Sequence, residues 1–191
     1  MEKNIDPEQE IEENVTISDQ TQLSSITPDQ ANKIKSLRIE NQVIDNNFFP
    51  FEIIYDNNIE QIYFDNCSFL ESGLWILRNF PSTTRIGFTR CGLYSVDLEK
   101  LLYSSNPYQQ IEVLDVSGNK FGNPYLFVDA LRKPIRGVKS IEKLIISDNG
   151  FDPTIVNLIK DSVGSYIGKL FCREIHKFKI NKIGFHFFLF I

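Results

Sequence analysis

The sequence predicts an α/β solenoid, with a parallel sheet as its inner wall, helices as its outer wall, and an array that is incomplete. Three observations predict it. One apolar frame recurs, with copies starting at Ile34, Ile59, Thr83, Ile111, Ile141 and Ile167. The residues at frame positions four and six repeat the alternation of a half-buried strand. In four of the copies a helix start follows frame position eleven.

Taken in order, residues 1–33 show no copy of the frame. The first fourteen are acidic and poor in aromatic residues, a composition that predicts disorder. Residues 18–33 (SDQTQLSSITPDQANK) are a candidate wrap for the open first edge of the sheet, with a floppy linker as the alternative. The first copy, IKSLRIENQVI, leads into FFPFEIIYDNN, whose Pro50 and β-formers predict no proper helix.

The second copy is IEQIYFDNCSF and the third TTRIGFTRCGL. The fourth is IEVLDVSGNKF and the fifth IEKLIISDNGF. Helix starts are predicted at Ser72, Ser95, Asn123 and Asp152. In the last two, proline follows the capping side chain directly, at the first helical position. Ile155, Leu158, Ile159 and Val163 then follow the spacing of one helical face. A degenerate sixth copy, IGKLFCREI, ends the array at residue 175.

Positions four and six point the same way along a strand and carry Leu37/Ile39, Ile62/Phe64, Ile86/Phe88, Leu114/Val116, Leu144/Ile146 and Leu170/Cys172. Position nine holds Gln42, Cys67, Cys91, Asn119 and Asn149. Just after the strand the chain turns inward, and buried backbone polar groups there need partners. An asparagine can bond backbone of its own and the neighbouring copy. Cysteine can make a weaker version of the same contact.

This pattern resembles the leucine-rich repeat, LxxLxLxxN/CxL, over residues 34–175, with five clear copies and a sixth degenerate one. Repeats of this length with a helix are similar to the long, ribonuclease-inhibitor-like kind found in intracellular eukaryotic proteins. The resemblance implies a horseshoe that serves as a non-catalytic protein-binding module or scaffold. Proteins similar in repeat type regulate a small GTPase or actin-filament capping, an alternative that rests on analogy of fold alone.

Charge narrows the partners. Residues 1–14 carry Glu2, Asp6, Glu8, Glu10, Glu12 and Glu13 against Lys3, which equals the −5 of the whole 191-residue chain, so the rest is neutral. A neutral body with an acidic tail lacks the basic footprint that nucleic acid requires. No basic stretch followed by an apolar run marks a secretory signal. The longest apolar run, Ile183–Ile191, falls short of the about 20 residues a membrane span needs. A cytoplasmic location is expected. Five bases (Lys169, Arg173, Lys177, Lys179, Lys182) stand against Glu174 from residue 169 to 182, and the segment 176–191 ends on IGFHFFLFI. A polar-faced cap would be expected of a finished array, so the chain reads as part of a longer one. A tail that touches a membrane or a partner is one alternative, and a strand of a further copy is another.

Little chemistry is encoded. The calcium-loop template fails on DVSGNKFG, since Lys120 replaces the required glycine and Leu126 the glutamate. Cys172, His176 and His186 lack a fourth ligand and a zinc-like spacing. No nucleophile has a plausible base, so no enzyme, metal or cofactor is expected. Cys67 and Cys91 would sit about 4.8 Å apart on neighbouring strands, yet in a reducing compartment they are expected to stay thiols.

What remains is a surface. Positions two, three, five, seven and eight of each copy are expected to point away from the core. Position five reads Arg38, Tyr63, Gly87, Asp115, Ile145 and Phe171. Tyr63 with Arg38, Asp65, Arg85 and Arg90 is the richest cluster, because Tyr and Arg dominate binding hot spots. With Asp115 and Ile145 these are the candidate partner-binding residues of the concave face, for a protein partner whose identity the sequence leaves open.

Overall fold

The computed structural model describes residues 14–54, 58–105, 109–132, 138–163 and 167–172. Seven strands, β1 (Asn14–Ile17), β2 (Ser36–Glu40), β4 (Gln61–Asp65), β6 (Arg85–Thr89), β7 (Gln109–Asp115), β8 (Val138–Ile145) and β9 (Ile167–Phe171), form one sheet in that order. Every neighbouring pair is parallel. Two short strands, β3 (Val43–Ile44) and β5 (Ser68–Phe69), pair separately, also in parallel. The helices are α1 (Gln20–Ser24), α2 (Pro28–Ala31), α3 (Phe51–Ile54), a 3-10 helix Glu71–Asn79, α4 (Ser95–Ser104), α5 (Pro124–Arg132) and α6 (Pro153–Val163). The α/β expectation holds.

Register follows the apolar pattern. Leu37, Ile62, Ile86, Leu114 and Leu144 stand side by side across the sheet, and all five are fully buried. A one-residue slip would turn every one of them to the opposite face, each losing about 1.5–3 kcal/mol of burial. Behind them Phe64 and Phe88 stack with ring centroids 5.4 Å apart and planes 4° apart. From the helical side Leu98, Leu101, Leu102, Phe127 and Ile159 join the same core. Thr83, at an otherwise apolar frame position, is buried because its hydroxyl donates to the Ile59 carbonyl at 2.7 Å.

Each strand of the middle of the sheet ends in the same way. Frame position eight is left-handed in five successive copies: Asn41 (φ 58°), Asn66 (φ 52°), Arg90 (φ 56°), Gly118 (φ 71°) and Asp148 (φ 57°). The first four each donate a backbone N–H to the next copy, to the carbonyls of Asp65, Thr89, Ser117 and Ser147 at 2.8–3.0 Å. Position nine then turns inward. Asn119 Oδ1 accepts the Cys91 and Leu93 N–H groups, both at 3.1 Å, while its Nδ2 donates to the carbonyls of Phe88 (2.7 Å) and Val116 (2.8 Å). Cys67 and Cys91 donate Sγ–H to the carbonyls of Ile39 and Phe64, both at 3.4 Å. These are the weaker contacts a thiol can make in an asparagine's place.

The helix starts at Asn123 and Asp152 are as expected: Asn123 accepts the Tyr125 N–H and Asp152 the Ile155 N–H, each at 2.9 Å. Two starts are shifted. The second helical stretch begins at Glu71 as a 3-10 helix rather than after Ser72, because the Leu70 N–H is held by the Ile44 carbonyl at 2.9 Å. Gly73 presses so close to that carbonyl that a Cβ would lie 2.2 Å from it. In α4 the residue before the helix is Tyr94, not Ser95; Asp97 accepts the Tyr94 N–H at 2.9 Å, and buried Ser95 donates to the Phe121 carbonyl instead.

From Asn14 onward the N-terminal segment is built into the fold, and β1 adds a strand parallel to β2 at the sheet edge. Asp19 caps α1 through the Thr21 N–H at 2.9 Å, and Leu23 is buried. The alternation in NVTI is too short to reveal a strand without its neighbour. The first copy carries only the single turn α3. Residues 1–13 and the basic-aromatic segment 176–191, with His176 and His186, lie outside the described residues.

Candidate functional site

One face of the sheet packs on the core; the other carries frame positions three, five and seven. Asp65 was expected there as an exposed group, and it is not exposed. It is only 5% accessible, because long side chains from both neighbouring copies close over it. Arg38 on β2 donates from Nη2 to Asp65 Oδ2 at 2.6 Å, and from Nε to Glu40 at 2.6 Å. Arg90, just past β6, donates from Nε to Oδ1 at 2.9 Å and from Nη2 to Oδ2, a two-pronged grip. The Thr89 hydroxyl donates to Oδ1 at 3.1 Å. Burial pushes the Asp65 carboxyl up, but the Arg90 and Thr89 hydrogen bonds and the charges of Arg90 and Arg38 outweigh it and hold it below its usual range. Asp65 is therefore the post to which two arginines are tied.

Arg90 reaches that post from a left-handed backbone, which costs a non-glycine residue about 1–2 kcal/mol. Its stem crosses Gly118, where a Cβ would stand 2.8 Å from Arg90 Cγ. The Arg90 side chain as a whole remains 66% exposed.

Tyr63 is the neighbour of both Arg38 and Gly87 in the position-five row. Its ring lies on Gly87, where a Cβ would come within 2.3 Å of Tyr63 Cδ1. The glycine is thereby buried and the tyrosine half-buried. Burial raises the phenol's pKa, with Asp115 adding to the rise and Arg85 and Arg38 opposing it. Arg85 stands one row away and pairs with Glu112 at 3.0 Å. Asp115 turns its Oδ1 to the Ser117 N–H at 2.9 Å, and half-buried Ile145 lies in register between Asp115 and Phe171.

No family model matches the sequence. No curated protein matches it either.

The structure thus joins Arg38, Asp65 and Arg90 directly, sets Tyr63 beside them, and leaves Arg85, Asp115 and Ile145 as separate neighbours on the same face. Sequence reasoning missed Lys143, whose Nζ sits 4.4 Å over the exposed Phe171 ring. Its signal was the position-three row, which reads Arg85, Lys143 and Lys169 in three of its members.

Other chemistry is sparse. Cys67 and Cys91 are in no disulfide, and burial pushes Cys67 up and Cys91 up to about 12, so both are poor nucleophiles at neutral pH. Among the described residues no group of three or more His, Cys, Asp or Glu could hold a metal ion. An open cleft is lined by Asn46, Ser72, Trp75, Ile76, Arg78 and Asn79, and the Arg78 guanidinium covers the Trp75 ring at 4.9 Å. Among the described residues no helix is long and apolar enough to cross a membrane.

Proposed function

We propose that this chain is a leucine-rich-repeat protein of the long, ribonuclease-inhibitor-like kind, and that it acts as a non-catalytic binding module or scaffold for a protein partner in the cytoplasm. The contact surface is the face of the sheet opposite the core, the concave face of the horseshoe that this family resemblance implies. The observation that carries the reading is the Arg38–Asp65–Arg90 tie beside Tyr63. Two arginines and a tyrosine are held in place before any partner arrives, so little side-chain freedom is lost on binding. Arg and Tyr are also the side chains that dominate interface energetics.

Affinity capture with matched variants tests this. Proteins retained by the wild type and by Lys160→Glu, at an exposed position of α6, should be lost with Tyr63→Ala and with Ile145→Ser. Retention that survives both sheet-face changes and disappears with Lys160→Glu would move the contact to the helices and overturn the assignment.

A further inference from the structure

One row of the sheet runs from Asn14 through Ser36, Gln61, Arg85, Val113 and Lys143 to Lys169, each paired in register with the next. Its far end is cationic. Lys143 and Lys169 are direct neighbours on β8 and β9, an arrangement of like charges that disfavours the sheet unless something offsets it. Two acids on β7 and β8 are engaged elsewhere: Glu142 accepts from Gln110, and Glu112 pairs with Arg85. The near end of the row is Asn14, where residues 1–13 join the sheet. Those thirteen residues hold Glu2, Asp6, Glu8, Glu10, Glu12 and Glu13 against Lys3.

We propose that this row is a docking site for residues 1–13 of the same chain, with their carboxylates set against Lys143, Lys169 and the Arg85 guanidinium. Reach permits it. Lys143 is five strand spacings from Asn14, about 24 Å, and Lys169 six, about 29 Å. Asp6 lies eight residues before Asn14, a span of up to about 29 Å, and Glu2 can go farther. Attachment to β1 keeps the acidic segment near the row at an effective concentration of about millimolar, so individually weak, screened charge contacts suffice. The position-five row lies alongside, so a docked segment would stand over Tyr63 and Asp115 and compete with a partner. That consequence rests on the proposed function; the docking itself does not.

The test needs no partner. Amide resonances of the full chain are compared with those of a triple variant, Asp6→Asn with Glu8→Gln and Glu10→Gln, whose substitutions leave residues 14–172 unchanged in sequence. The proposal expects shifts at Arg85, Val113, Lys143 and Lys169 in low salt, which shrink as salt shortens the Debye length to about 3 Å at 1 M. In a Lys143→Glu, Lys169→Glu background the same triple change should no longer shift that row. Shifts confined to residues 14–17 and their β2 neighbours would overturn the proposal. So would shifts in the row that vanish on tenfold dilution, because they would belong to the segment of a second copy.

Discussion

Asn149 Oδ1 accepts the Asn119 backbone N–H at 2.7 Å, just as Asn119 Oδ1 accepts those of Cys91 and Leu93 at 3.1 Å. Each asparagine therefore ties down the turn of the copy before it, in a place where water does not reach: Asn119 is fully buried. Asn119→Ala strands two N–H groups and two carbonyls and should cost about 1–3 kcal/mol. Asn123→Ala, which removes an exposed helix cap, should cost about 1 kcal/mol. Urea midpoints at unchanged m-value would measure both. Equal and negligible shifts would contradict the paired turns described above.

Acid should act through Asp65. Its folded pKa is depressed, so the stabilisation it supplies is present above its unfolded pKa of about 3.9 and is lost as pH falls through the lower folded value. The difference in thermal midpoint between wild type and Asp65→Asn should be constant near neutrality and narrow below about pH 4. A difference that stays constant down to pH 2.5 would show that the carboxylate is not held by the two arginines.

Much of the fold was legible because burial leaves a strong trace in sequence. Leu114, Val116 and Phe121 alternate and recur as a buried strand and turn must, and Asn119 stands out among them as a polar residue that needs partners. Asn123 and Asp152 announced their helices because proline follows each directly. Ser72 and Ser95 misled for the opposite reason. Those helix starts are set by contacts with other copies, the Ile44 carbonyl for one and the Phe121 carbonyl for the other. The burial of Asp65 was not readable at all. Period-two alternation gives the face of the sheet, whereas exposure on that face depends on whether neighbours such as Arg38 and Arg90 are long enough to close over it. Arg90 also hid the left-handed row, which Asn41, Asn66, Gly118 and Asp148 would otherwise have advertised.

Tyr63 and Gly87 should be energetically coupled. Gly87→Ala places a methyl where the Tyr63 ring lies, so the ring must move and the domain should lose about 1–3 kcal/mol, as overpacking does. In a Tyr63→Ala background the same change should cost much less, giving a coupling of about 0.5–3 kcal/mol in a double-mutant cycle. Additive effects would mean that the ring does not rest on the glycine.

Thiol reactivity should separate the cysteines. Denatured protein should titrate three thiols, and in the native state Cys172 should react first, since Cys67 and Cys91 are buried and Cys91 is pushed up to about 12. A count of one in the denatured protein would reveal a Cys67–Cys91 bond instead.

The central claim, that a protein partner docks on the sheet face carrying Arg38, Tyr63 and Arg90, is tested most directly by amide hydrogen exchange of the full chain with and without a captured partner. The account predicts slowed exchange on binding for the ends and turns of β4, β6 and β7, including Asn66 and Arg90, with α4, α5 and α6 unchanged. Protection that falls on α4–α6 and leaves those turns as they were would contradict it.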